Sequence, residues 1–278
     1  MELSDALGWA RQQIGSSSDS AALDAEVLLA HCIGKSRSYL YTWPEQALSA
    51  SHWEIYQSLI AQRLIPTPIA YLLGAREFFS LDFKTTAAAL IPRSDTELLV
   101  EAALDRCPQN SSFRILELGT GTGAIAITIK VHRPNATIVA TDISPQCLAL
   151  ARQNATHHQV DIQWIKSDWF SAIEPTGRFD MIVSNPPYIA ENDTYLSRGD
   201  LPAEPLLALS SGITGLESLE RIISDAIGYL NSGGHLLLEH GYDQEIAVTG
   251  LLKSRGFVGV NCQYDVNNLP RISIGKLA

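Results

Sequence analysis

Ile115-Leu116-Glu117-Leu118-Gly119-Thr120-Gly121-Thr122-Gly123 decides how this 278-residue chain folds. A short apolar strand carrying one acid runs into a turn with glycine at every second position, and Ala124–Val131 then reads as an apolar helix. Strand, glycine turn and helix form the first half of a parallel βαβ unit, with the turn at the sheet edge where ligands bind. Glycine lets the backbone approach such a ligand closely. A dinucleotide fingerprint would be Gly-x-Gly-x-x-Gly, whereas here the third glycine comes two residues after the second, a spacing that suits a different ligand.

Working outward, the alternation continues. Arg114–Leu118, Thr137–Thr141, Ile162–Ser167 and Phe179–Ser184 read as strands, and Pro145–His157 as a helix capped by Ser144. Beyond them the pattern predicts a helix over 216–230, a strand over His235–Glu239, a helix over 244–255 and terminal strands near Val258–Gln263 and Arg271–Ile274. This is an α/β pattern, a parallel sheet with helices on both faces.

Upstream the periodicity is helical. Ser51-His52-Trp53-Glu54 has the form of a capping box, followed by Ile55, Tyr56, Leu59, Ile60 and Leu64 at helical spacing and an expected stop before Pro66. Leu23, Val27 and Ala30 form another stripe, and Thr67-Pro68 opens a helix that Gly74 closes. Glu77–Lys84 reads as a hairpin, and Ser94-x-x-Glu97 as a second capping box. The expected division is a helical substrate-recognition domain over 1–75, a hairpin linker over 76–93 and a catalytic domain over 94–278.

Apolar residues make up 46% of the chain and charged ones 18%, the composition of a packed protein. The net charge of −10 argues against affinity drawn from phosphate contacts, which depends on Lys and Arg, so no direct nucleic-acid partner is expected. Cys32, Cys107, Cys147 and Cys262 lie far apart without histidines at ligand spacing, which predicts free thiols and no metal site. Met1–Asp5 carries acids where a secretory signal carries bases, and no apolar run reaches membrane-spanning length, so the expected location is the cytoplasm, with no membrane partner.

Three strand ends carry candidate ligand contacts. Gly119, Thr120, Gly121, Thr122 and Gly123 form the loop after the first strand. Asp142 ends the second, where a carboxylate can accept both hydroxyls of a ribose, and Asp168 and Trp169 end the third, an acceptor for an adenine amino group beside a ring to cover it. Taken singly, each has a plainer account: a tight turn, a capping acid, a core tryptophan. Glu117 suits a cationic ligand group such as an ammonium, or is an acid tolerated at an edge.

The fourth strand ends in Asn185-Pro186-Pro187-Tyr188. An amide nitrogen is a poor nucleophile because its lone pair is delocalised. Two fixed acceptors on its two hydrogens would hold it in line with a methyl donor and oppose that resonance. The Asn185 side-chain oxygen and the Pro186 carbonyl supply such acceptors, Pro187 stiffens the loop, and Tyr188 can stack on the planar group. No general base is assigned, since methylation itself makes the nitrogen acidic.

Asn185–Tyr188 after the fourth strand, joined to Glu117–Gly123 after the first, resembles the class I S-adenosylmethionine-dependent methyltransferases that modify planar NH2 groups. Within them the chain is similar to the release-factor glutamine methyltransferases, the PrmC/HemK family. The resemblance is carried by Pro68–Gly74, Arg76-Glu77-Phe78-Phe79, Leu90–Glu97, the glycine loop, Asn185–Tyr188 and Glu239-His240-Gly241.

It implies a seven-stranded, mostly parallel sheet, a small all-α N-terminal domain, S-adenosylmethionine as cofactor, and methylation of the Gly-Gly-Gln glutamine of peptide-chain release factors; a monomer is expected. It also implies that Gly119–Gly123, Asp142, Trp169 and Asn185 touch the cofactor and that Asn185–Tyr188 holds the glutamine. Arg93 and Glu97 are expected to help close the pocket, with a capping role as the alternative for Glu97. Two departures stand out: Ser94 occupies the place of a second proline, and Asp200–Pro205 lacks the usual basic and aromatic residues. A ribosomal-protein glutamine, a nucleic-acid adenine and a noncatalytic nucleoside-binding role remain the alternatives.

Overall fold

The computed structural model describes residues 1–65, 67–110 and 112–278; Pro66, the expected helix stop, lies outside them. The chain forms two compact units, one of Met1–Ala75 with Ser197–Ala203, the other of Arg76–Leu196 with Glu204–Ala278.

The first unit is helical: α1 (Leu3–Ile14), α2 (Ala21–Ile33), α3 (Arg37–Thr42), α4 (Ala50–Leu64) and α5 (Ile69–Leu73). Leu3, Leu7, Ile14, Leu28, Leu29, Tyr56 and Ile60 make its core. The stripe on α2 differs from the expected one. Leu23 is exposed, while Asp24 and Glu26 are buried beside Ala25, because arginines reach them: Arg11 and Arg37 pair with Glu26 and Arg63 with Asp24. Nor does Ser51 cap α4. The helix begins earlier, and Ser49 Oγ accepts the His52 N–H at 3.2 Å. Gly74, at φ +69, closes α5.

The second unit opens with a hairpin, β1 (Ala75–Phe78) and β2 (Leu81–Lys84). Phe79 and Ser80 between them both have positive φ, the geometry that matches strand twist across a two-residue turn. Then follow α6 (Glu97–Arg106), β3 (Arg114–Leu118), α7 (Ala124–His132), β4 (Thr137–Asp142), α8 (Pro145–His157), β5 (Gln163–Lys166), β6 (Phe179–Ser184), α9 (Leu206–Leu209), α10 (Glu217–Ala226), β7 (Leu230–Glu239), α11 (Glu245–Ser254), β8 (Phe257–Tyr264) and β9 (Pro270–Leu277).

These strands form a seven-stranded sheet in the order β5-β4-β3-β6-β7-β9-β8. The first five are parallel, and β9 runs antiparallel to both its neighbours. Side-chain alternation divides the core. Ile115, Met181 and Leu237 pack on one face with α6 and α7, while Leu116, Ile182 and Leu236 pack on the other with α10 and α11. Both faces being covered explains why the strands read as continuous apolar runs. The strand order reverses between β3 and β6, which places the glycine loop and Asn185 side by side at the crevice where open α/β sheets bind ligands.

Ser94 does not cap α6 as expected. Ser94–Thr96 forms a turn of 3-10 helix without a side-chain cap, and Glu97 Oε1 instead accepts the Phe79 N–H at 3.0 Å, tying the hairpin to α6. Among the described residues no helix is long and apolar enough to cross a membrane.

Candidate active site

The loop after β3 is held from three sides. Thr120 N–H donates to the Thr141 carbonyl at 2.8 Å, Gly121 N–H to Asp142 Oδ2 at 2.8 Å, and Asn154 Nδ2, from α8, to the Thr122 carbonyl at 2.9 Å. Its glycines differ in purpose. At Gly121 a Cβ would meet nothing within 4 Å, so the backbone there lies open to a ligand; at Gly123 it would stand 2.9 Å from Ile127 Cδ1 and 3.1 Å from Ala151 Cβ. Gly123, with φ +83, therefore serves the close packing of α7 rather than the ligand.

Glu117 also lies behind the loop. Its carboxylate is fully buried, and Oε2 accepts from the Thr120 hydroxyl at 2.6 Å and the Ala126 N–H at 3.2 Å. Burial pushes its pKa up to about 8 against those two bonds. Glu117 thus fastens the turn onto α7 and does not line the cavity.

At the end of β4, Asp142 Oδ1 accepts the Ser144 N–H at 2.9 Å while Oδ2 holds Gly121. Burial raises its pKa, and the N–H groups of Ser144 and Gly121 oppose the rise. Each oxygen keeps a lone pair, so the carboxylate can still accept two hydroxyls. Ser144 Oγ caps α8 by accepting from Cys147 N–H at 3.2 Å, with Pro145 in the first turn, as the sequence predicts.

After β5 the chain bends sharply. Ser167 Oγ donates to the Trp169 carbonyl at 2.8 Å and accepts from Ala172 N–H at 3.0 Å, which ends the strand sooner than expected and holds Trp169 at φ +51. A left-handed tryptophan costs of order 1–3 kcal/mol, and such strain concentrates at functional sites. The bend lays the indole within 3.6 Å of the position of a Cβ on Gly119. Asp168 is half exposed and paired with Arg221 at 3.0 Å.

At the end of β6, Asn185 Nδ2 donates to Thr96 Oγ1 at 3.0 Å. No described residue donates to Asn185 Oδ1 or to the Pro186 carbonyl. Tyr188 differs from expectation. Its phenol points at Glu239 Oε1, 3.5 Å away, and Gln244 Nε2 holds its carbonyl at 2.9 Å, so the ring packs into the core instead of the cavity wall. A buried phenol needs a partner for its proton, and Glu239 supplies one.

These strand ends enclose a cavity of about 350 Å³. Gly119–Thr122, Asp142, Asp168, Trp169, Asn185, Pro187 and Arg93 line it; Glu97, Glu117, Gly123, Pro186 and Tyr188 do not. Arg93 is fixed there by an ion pair with the buried Glu204, whose other oxygen accepts the Ile91 N–H at 3.1 Å. Thr96, Ile143 and Ser167 also line the cavity. Nothing local in the sequence marked Thr96, one residue from the Glu97 that was expected there. For Ile143, an exposed apolar residue directly after a strand-ending aspartate was the available signal.

A glycine open to the cavity, a carboxylate with two spare lone pairs and an indole beside the glycine loop fit the polar tail, ribose and base of S-adenosylmethionine.

The chain matches the PrmC N-terminal domain over residues 5–74 and the methyltransferase small domain over residues 94–199. It is 43% identical to the release factor glutamine methyltransferase of Shewanella oneidensis across 99% of this chain and 96% of that one. With the Escherichia coli protein of the same name it shares 42% identity over 96% and 97% of the two chains. Its fold is similar to that of a Thermus thermophilus 16S rRNA methyltransferase solved with AdoMet and guanosine, at 17% identity, TM-score 0.53, and 73% and 50% coverage.

Proposed function

We propose, because this chain belongs to the release factor glutamine methyltransferase family, that it methylates the side-chain amide nitrogen of the Gly-Gly-Gln glutamine in peptide-chain release factors. Like its family it uses S-adenosylmethionine, which supplies an electrophilic sulfonium methyl group. The observation that carries the reading at the site is the acceptor left unused on the cavity wall at the end of β6, the Asn185 side-chain oxygen, next to a Pro186 carbonyl to which no described residue donates.

Two acceptors suit an NH2 donor and would repel a carbonyl oxygen, so they select the nitrogen end of a glutamine amide and fix its plane. Drawing on both N–H bonds also raises electron density on nitrogen as its carbon bond forms. Gly121 and Asp142 would hold the cofactor's tail and ribose and Trp169 would cover its base, while Arg93, anchored by Glu204, lines the same cavity. Transfer breaks the sulfur–methyl bond and forms the nitrogen–methyl bond. The cationic nitrogen then releases its proton to water, which needs no dedicated base.

The helical unit serves as the substrate-recognition domain, and the enzyme works as a cytoplasmic monomer; a net charge of −10 supports the absence of direct nucleic-acid contact. Incubation with isotope-labelled cofactor and a purified release factor, followed by peptide mass spectrometry, tests the assignment. Label is expected on the Gly-Gly-Gln peptide. Label only on a ribosomal protein, or on nucleic-acid adenine, would replace the substrate named here.

A further inference from the structure

The stretch Asp200–Pro205 ends in Glu204-Pro205, and the structure gives that acid a partner on the cavity wall. Glu204 stands two residues ahead of α9, whose Leu207 and Ala208 line the cavity. Its side chain is 1% exposed. Oε2 accepts the Ile91 N–H at 3.1 Å, and Oε1 accepts from Arg93 Nη2. One buried carboxylate thus clasps the strip that ends in Arg93 to the segment leading into α9.

Arg93 is the open member of the pair, its side chain 37% exposed. Nη2 is held, but no described residue accepts from Nε or Nη1. Thr96 N–H donates to the Arg93 carbonyl at 3.2 Å, and Thr96 Oγ1 accepts from Asn185 Nδ2 at 3.0 Å, so a single turn of backbone links Arg93 to Asn185. Both residues line the cavity. Idle guanidinium N–H groups and an idle amide oxygen in one cavity suit a ligand that brings an acceptor as well as a donor.

Glu204 decides which acceptor. It cancels the charge of the arginine, so the wall offers N–H donors without a net positive field and suits a neutral carbonyl oxygen better than a carboxylate. The oxygen of the reacting amide is the wrong one: a guanidinium there would strengthen the amide resonance and draw density from the nitrogen. A main-chain carbonyl close to the glutamine has neither drawback, and glycines ahead of it leave their carbonyls unshielded by side chains. We propose that Arg93 binds a main-chain carbonyl of the Gly-Gly step of the substrate and that Glu204 is the positioning residue that aims it, an assignment that rests on the Gly-Gly-Gln reading above. A buried ion pair adds little net stability, because desolvation offsets the attraction. Its effect here is to hold a long, flexible side chain in one geometry, so that the substrate meets a donor already in place.

Steady-state kinetics with a release factor, and calorimetric titration of S-adenosylmethionine, test the proposal on Arg93→Met, Glu204→Gln and the double variant. Arg93→Met is expected to raise KM for the release factor about tenfold or more, the loss of a hydrogen bond from a charged donor. Its kcat stays within about threefold, because the carbonyl lies away from the bond being made. Glu204→Gln keeps an acceptor for Ile91 but releases the guanidinium, and KM rises about fivefold. A carboxylate that acts only through Arg93 makes the double variant no worse than Arg93→Met, within about twofold. Additive losses, the mark of a purely structural carboxylate, would overturn the positioning role. A KM within about twofold of wild type in Arg93→Met would overturn the carbonyl contact. A cofactor Kd weakened about tenfold in that variant would do the same, by putting the guanidinium on the carboxylate of S-adenosylmethionine. Arg93→Met leaves a buried carboxylate unpaired; should it fail to fold, the double variant, which removes both charges, reads the same KM. A wild type that leaves the release factor unmethylated removes the substrate assignment and the Gly-Gly contact together, whereas wild-type turnover with an unmoved KM in Arg93→Met removes the contact alone.

Discussion

Asp142→Asn separates what that carboxylate does for the protein from what it does for the cofactor. Oδ2 accepts from Gly121 N–H at 2.8 Å and Oδ1 from Ser144 N–H at 2.9 Å, and each oxygen retains one lone pair toward the cavity. Asparagine has one oxygen. Whichever way its amide settles, one backbone N–H then faces an NH2, and one acceptor for a ribose hydroxyl is gone. A hydrogen bond to a charged group contributes about 1.5–3 kcal/mol. The backbone loss falls on the free protein, so it appears as a drop of several degrees in Tm. The ribose loss falls on the complex alone and corresponds to a weakening of about tenfold to 150-fold in Kd for S-adenosylmethionine. Calorimetric titration and thermal melts of the same preparation read the two separately. A Kd within about threefold of wild type, alongside the expected fall in Tm, would mean that Asp142 braces the loop and holds no ribose.

Further outcomes follow from the same geometry. Asn185→Ala removes an acceptor without touching the glycine loop, so cofactor affinity should stay within a few-fold while methyl transfer falls by about a hundredfold or more; retained turnover in a single-turnover assay would contradict its role. Gly123→Ala puts a Cβ 2.9 Å from Ile127 Cδ1 at φ +83, and a loss of about 1–3 kcal/mol is expected in denaturant unfolding; an unchanged midpoint would show that α7 can shift to accept it. Burial raises Glu117 to about 8 and Glu239 to about 7 from 4.5, so between those values the native state holds protons that the unfolded chain has released. Their contribution to stability is present at acid pH and lost as pH rises through the window. Glu117→Gln should accordingly flatten the decline of Tm between pH 5 and 8, and parallel curves for the two proteins would refute the assignment.

The sequence by itself determined the βα alternation, the places where strands end, and the residues standing at those ends, because strand and helix periods and turn chemistry are local properties of the chain. Gly121, Asp142, Trp169 and Asn185 could be singled out for that reason, and each lines the cavity. Which way a side chain turns at a strand end is not local. Glu117 faces α7 because the Thr120 hydroxyl and the Ala126 N–H await it there, Tyr188 turns inward to Glu239, and Glu97 reaches the hairpin rather than the pocket. Asn154, buried on α8 with its amide split between the Thr122 carbonyl and the backbone of Lys84, had no signal in the sequence at all. Buried polar groups must find partners, and those partners come from segments remote in the chain, so only the assembled sheet and its helices decide which polar residues brace the site and which face the ligand.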